Sequence, residues 1–264
     1  MELIKNTIRL GNSAGVLLPK EFLNTQVKVV LQPLNIEKDV LNILSERKIL
    51  PNVLGIYVVG SYARKEQTIE SDVDILVITD NLNDKIEKGK YDLIIVSKDL
   101  VDEKMRKNIL PLLPMMIEAK PIVNKSLLND YVKTLLSIYN LKWHIDTTKS
   151  AMNVVEEYIQ IAEKTGKKVN DAASYSLILR LRTIYIIDCL KKGKLWTKKE
   201  FLGLVKGVSG SLTAYERYLE SKNKNTKEFI LPVKEAKKLM DYNNKKIKEI
   251  EKWLKEKKEQ ERKG

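Results

Sequence analysis

The sequence predicts an α+β chain in three parts, on three observations. Apolar stretches of strand length (residues 53–59, 75–77 and 91–96) gather before residue 125. After Ser126 strand signals nearly vanish, and apolar residues recur at helical spacing. The first 35 residues carry their own short apolar stretches around a turn rich in Gly and Asn. The expectation is a short N-terminal β-hairpin unit (1–35), a small mixed β-sheet with flanking helices (36–125) and a C-terminal α-helical bundle (126–264).

In chain order, residues 4–10 have strand character and Gly11-Asn12-Ser13-Ala14-Gly15 is a turn, because Gly and Asn accept the dihedrals tight turns require. Residues 16–18 read as a short strand. Pro19 opens a helical turn through Leu23, and residues 27–32 read as a further strand before Pro33. A unit of this length buries too little apolar surface to stand alone.

From Ile36 the residues Ile36, Val40, Ile43 and Leu44 share one helical face. Residues 53–59 form a buried strand that breaks at Gly60-Ser61 into the first turn of a short helix. A second strand then opens with Ser71-Asp72-Val73-Asp74. Residues i and i+2 of a strand face the same side, so Asp72 and Asp74 project together while Val73 and Ile75 turn to the core. Two adjacent anions repel unless a cation lies between them. A hard divalent ion, Mg2+ first and Mn2+ second, takes carboxylate and phosphate oxygens while keeping several waters. Gly60 lets backbone approach a ligand closely, and helix N-terminal amides with the Ser61 hydroxyl suit phosphates. Residues 79–90 are polar and hold Gly89, a loop or hairpin; residues 91–96 make a third strand, with Asp92 near its start. Residues 99–107 read as a helix capped by Asp99, and the apolar residues 115–119 lead into a last short strand, 121–123.

Gly60-Ser61-x-Ala63-Arg64 followed by Ser71-Asp72-x-Asp74 resembles the signature of the DNA polymerase β nucleotidyltransferase superfamily, in particular its small archaeal and bacterial members, across residues 36–125. Lys65 stands where members commonly carry Gly. The resemblance implies that Gly60, Ser61, Arg64 and Ser71 bind the nucleotide. It implies that Asp72 and Asp74 are catalytic and carry two Mg2+ ions, with Asp92 as the third acid and Glu118 its competitor. Two ions about 3.5–4 Å apart clamp the attacking and leaving oxygens of an in-line displacement. The implied reaction moves an NMP group from an NTP, with ATP the expected donor, to a hydroxyl of a protein, a small molecule or an RNA end. The string from Ile8 to Glu21, with Leu10-Gly11-Asn12-Ser13 and Pro19-Lys20-Glu21, resembles the swapped-hairpin AbrB and MazE family. That second resemblance implies a homodimer through this unit and DNA contact by Lys5 and Arg9. The alternative reading is a nucleotide-sensing DNA-binding regulator, or an antitoxin component, without turnover.

Helical periodicity then covers residues 127–145, 147–163, 171–192, 197–206 and 212–220, with Gly166, Gly193 and Gly207 as stops, and a last helix starts near Pro232. The resemblance assigns such a bundle to closing the cleft and choosing the acceptor. His144 reads as a satisfied, partly buried histidine and Cys189 as core; Arg180 and Arg182 read as surface cations of the bundle, the alternative being that they face the cleft and hold a triphosphate. One Cys and one His exclude an internal disulfide and a Cys/His zinc site, so a metal must be held by oxygen. The net charge of +13 reads equally as attraction to polyanionic partners or a phosphorylated substrate and as a lysine-rich, solvated surface. At 43% hydrophobic and 31% charged residues, with no apolar run of about 18 residues and no basic-then-apolar leader, the expected location is the cytoplasm, with no membrane contact.

Overall fold

The computed structural model describes residues 3, 5, 7–30, 34–222 and 229–263. It divides into one unit over residues 1–39 and another over 40–264. In the first, β1 (Ile8–Leu10) pairs antiparallel with β2 (Ser13–Gly15), with Arg9 opposite Ala14. The second strand therefore falls inside the stretch expected to be turn, and residues 16–18 have no regular structure. A 3-10 turn at Lys20–Phe22 follows Pro19. Residues 27–30 are not strand, Ile4 and residues 31–33 lie outside the described residues, and no described residue from 3 to 35 is buried.

Helix α1 (Ile36–Glu46) carries the predicted apolar face, with Val40, Ile43 and Leu44 buried. Then come β3 (Val53–Val58), α2 (Gly60–Arg64), β4 (Val73–Thr79), β5 (Asp84–Lys88), β6 (Tyr91–Ser97), α3 (Lys98–Lys107), α4 (Leu113–Glu118) and β7 (Lys120–Val123). The strands form one five-stranded sheet in the order β5-β6-β4-β3-β7. β4 and β6 are parallel and the other pairs antiparallel, so the sheet is mixed as expected. The polar stretch 79–90 is a hairpin arm, with β5 returning along β6. α3 is capped by Ser97, whose hydroxyl accepts from the Leu100 N–H, one residue pair earlier than the expected Asp99 cap.

Six helices follow among the described residues: α5 (Lys125–Val132), α6 (Ile138–Thr165), α7 (Asp171–Lys191), α8 (Lys198–Ser209), α9 (Thr213–Lys222) and α10 (Val233–Lys263). The break expected near residue 146 falls instead at 133–137, where Ser137 and Asn140 form a reciprocal capping box that starts α6. Gly166 and Gly193 adopt the left-handed dihedrals that end helices, but α8 runs through Gly207 and stops at Gly210. A two-stranded pair, β8 (Val169–Asn170) with β9 (Phe229–Leu231), adds strand to a region expected to be helical.

Alternation along the strands decides which face meets the helices. Tyr57, Leu76 and Ile78 of the sheet share one core with Leu141 and Ile145 of α6, Ile184 and Ile187 of α7, and Ile247, Ile250 and Leu254 of α10. A second core, among α6 to α10, is built around Val155, Leu177, Val205, Ala214 and Leu239. No helix among the described residues is long and apolar enough to cross a membrane.

Candidate active site

The middle of the sheet supplies the acids. Because β4 and β6 run parallel and in register, Asp74 stands directly opposite Asp92. Asp72 is exposed just before β4, while Asp74 and Asp92 are half-buried. Burial, then the charges of Asp92 and Asp72, push the Asp74 carboxyl above the usual carboxylate range. The three acids thus share one electrostatic neighbourhood. Asp92 Oδ1 is buried without a hydrogen-bond partner, and Asp92 Oδ2 lies 3.3 Å from Lys85 Nζ. Lys85 also meets Glu87 at 2.6 Å, and Glu87 is the residue of β5 opposite Asp92.

The glycine turn is pressed against this cluster. The Val59 N–H donates to the Asp74 carbonyl at 2.9 Å, and Gly60 follows with φ +69°. A Cβ at residue 60 would lie 2.1 Å from Asp74 Oδ2. Dihedral and contact together therefore admit only glycine. α2 ends at Lys65, which adopts left-handed dihedrals (φ 61°, ψ 34°). That conformation is the one glycine accepts without cost, which gives a physical reason for the Gly expected there.

Glu118, at the end of α4, takes hold of the same turn. The Gly60 N–H donates to Glu118 Oε1 at 2.7 Å and Arg64 Nη1 donates to Glu118 Oε2 at 2.6 Å, while Arg64 Nε donates to Glu66 at 2.9 Å. Glu118 is buried, 8% exposed. Burial pushes its carboxyl up, opposed by Arg64 and the Gly60 amide. Ser71 faces its own loop: its hydroxyl accepts from the Thr68 N–H at 2.9 Å. Of the residues singled out from sequence, Asp72, Asp74, Asp92 and Gly60 come together. The Gly60 amide and Arg64 are engaged by Glu118, and Ser71 is engaged by Thr68. Sequence reasoning missed Lys85, although Lys85 and Glu87, two apart in a polar hairpin, carry the alternation of a strand with one charged face.

His144 lies elsewhere, buried in α6 with Nε2 lacking a hydrogen-bond partner rather than satisfied as expected. Burial and the charge of Arg180 push its pKa down to about 4, so it is neutral near pH 7. Arg180 is half-buried and donates from Nη1 to Thr147 Oγ1 at 3.1 Å. Cys189 is buried, as expected for core.

The donor set suits a hard cation that arrives with its substrate. Among the described residues no three His, Cys, Asp or Glu side chains form a ready metal cage. Mg2+, however, is commonly held by one or two carboxylates plus substrate phosphates. The unpartnered Asp92 Oδ1 and the crowded Asp74 carboxyl are what such an ion would relieve.

The sheet is mixed, with two acids in register on its parallel central strands and a glycine turn packed against one of them. The chain belongs to the nucleotidyltransferase domain family, whose model matches residues 37–194. It is accordingly a nucleotidyltransferase, an enzyme that transfers an NMP group. No curated protein matches the sequence. Among solved structures, a nucleotidyltransferase-like protein from Exiguobacterium sibiricum is similar at 14% identity, over 81% of this chain and 75% of that one, with a TM-score of 0.37. A spectinomycin adenyltransferase from Enterococcus faecialis, crystallised with ATP and spectinomycin, is similar at 15% identity, over 80% of this chain and 98% of that one, with a TM-score of 0.40.

Proposed function

We propose that this enzyme takes an NMP group from an NTP, with ATP the expected donor in a cytoplasmic setting, and attaches it to a hydroxyl of a protein, a small molecule or an RNA end. The observation that carries the reading is Asp74 opposite Asp92 across the parallel ladder, with the Gly60 turn packed on Asp74. Asp72 and Asp74 would hold Mg2+, or Mn2+ in its place, with Asp92 supporting a second ion. Bound there, such ions would supply charge neutralisation for the phosphates. The Ser61 hydroxyl and Arg64 orient the phosphates, and the turn from Gly60 to Ser71 shapes their seat. As the acceptor oxygen bonds to the α-phosphorus, its proton passes to Asp92. The bond from that phosphorus to the bridging oxygen breaks, and pyrophosphate leaves with the electron pair. In this division of labour residues 36–125 perform the transfer and the helices of 126–264 select the acceptor.

The N-terminal unit, residues 1–35, is read as pairing with a second copy. Leu10, Leu17, Leu23, Val29 and Val30 are each more than half exposed, which suits a surface completed by a partner. Contact with DNA through Lys5 and Arg9 of the paired units is the second reading, favoured by the β1–β2 hairpin.

The test is incubation with Mg2+ and each α-labelled NTP, alone and with lysate, beside Asp72→Asn/Asp74→Asn. Label should move to one acceptor class and fall by more than about 100-fold in the double variant, given the several kcal/mol that metal-bound charge stabilisation supplies. Binding of NTP without transfer to anything would reject turnover in favour of a nucleotide-sensing regulator.

A further inference from the structure

Glu118 looked from sequence like a rival third acid, yet the structure gives it other work. Its side chain is 4% exposed, and each carboxylate oxygen is taken, one by the Gly60 amide and the other by the Arg64 guanidinium. A carboxylate so enclosed offers no free oxygen to a cation in the cleft. Gly60 in turn lies so close to Asp74 that even a methyl group would collide with its carboxylate. A chain of direct contacts therefore runs from α4 through Glu118 to Gly60 and on to the central acid.

We infer that Glu118 is a positioning residue: it anchors the glycine turn and Arg64, and through Gly60 it fixes where the Asp74 carboxylate stands, without touching metal or nucleotide. The inference rests on the nucleotidyltransferase site proposed above. Residues that orient a reacting group from behind typically govern activity by about 10–100-fold, because small displacements of reacting groups are costly.

The experiment compares wild type, Glu118→Gln, Arg64→Lys and the double variant in ATP binding by calorimetry, in transfer kinetics, and in the Mg2+ concentration giving half-maximal rate. In Glu118→Gln, ATP binding should weaken, kcat fall by about 10–100-fold and the Mg2+ requirement rise, because a displaced Asp74 holds the cation less well. The loss in the double variant should fall short of the product of the two single losses, since the two share the Arg64–Glu118 contact. Wild-type ATP binding, kcat and Mg2+ requirement in Glu118→Gln would overturn the inference. Should Glu118→Gln fail to fold, Glu118→Asp, which shortens the reach of the carboxylate, decides: unchanged ATP binding and kcat there overturn it. Wild-type protein that binds ATP but transfers nothing removes the catalytic reading, while the binding comparison still judges Glu118.

Discussion

Asp74 is held under opposing demands. Its carboxyl is half-buried beside Asp92 and Asp72, and its folded-state pKa is raised, first by burial and then by those two charges. The folded protein therefore binds the Asp74 proton more tightly than the unfolded chain does. Stability falls as pH rises from the ordinary aspartate value of 3.8 through the raised one, and the penalty stays constant above it. Asp74→Asn should raise Tm relative to wild type at pH 7, and the advantage should vanish below about pH 3.5. Thermal melts of the two proteins across pH check this; a variant less stable than wild type at pH 7 would show that the acid's crowding is not the dominant cost. An acid proposed to hold the cation is thus one the fold would be more stable without.

At the scale of elements, the bundle holds an ion pair that behaves unlike those on its surface. Arg217 of α9 reaches Asp171 at the start of α7 with two bonds, Nε to Oδ1 at 2.9 Å and Nη2 to Oδ2 at 2.8 Å, and both side chains are 7% exposed. Arg217→Met should cost roughly 3–5 kcal/mol by removing the bidentate partner of a buried carboxylate together with the pairing to Glu220, and adding Asp171→Leu should recover much of it. Urea unfolding of the three proteins measures the sequence of effects; a loss under about 1 kcal/mol in the single variant would mean that water reaches Asp171. The elements also differ in how far they can be read in advance. β3, α2, β4 and β6 were legible because apolar runs, Gly60 and the acid pair are local signals, and the five-stranded mixed sheet follows them. The start of α6 was not, because apolar periodicity runs on past 133–137 and only the Ser137 and Asn140 cap breaks it. The role of Glu118 was not legible either. It depends on β7 pairing with β3, which brings the end of α4 to the Gly60 turn, 58 residues away in sequence. Arg64 was legible as a candidate nucleotide-binding cation, whereas its two carboxylate partners needed the folded chain.

For the whole molecule, the N-terminal unit and the rest raise different questions. If the exposed apolar side chains of residues 1–35 pair with a second copy, Leu17→Asp with Val29→Asp should shift a dimer to monomer in analytical ultracentrifugation while leaving the circular dichroism of the larger unit unchanged. A wild-type protein monomeric at high micromolar concentration would sink that pairing. Within the larger unit, the sheet face bearing Asp74 and Asp92 continues into Leu76, Ile78, Ile94 and Val96, and these pack in the same core as residues of α6, α7 and α10. Domains joined through a small polar interface swing freely, whereas a large apolar one resists separation. Here the helices that would select an acceptor cannot hinge away from the acids without wetting that core. If the bundle selects the acceptor as proposed, that shared core would make the selection rest on set geometry rather than on how far the protein opens.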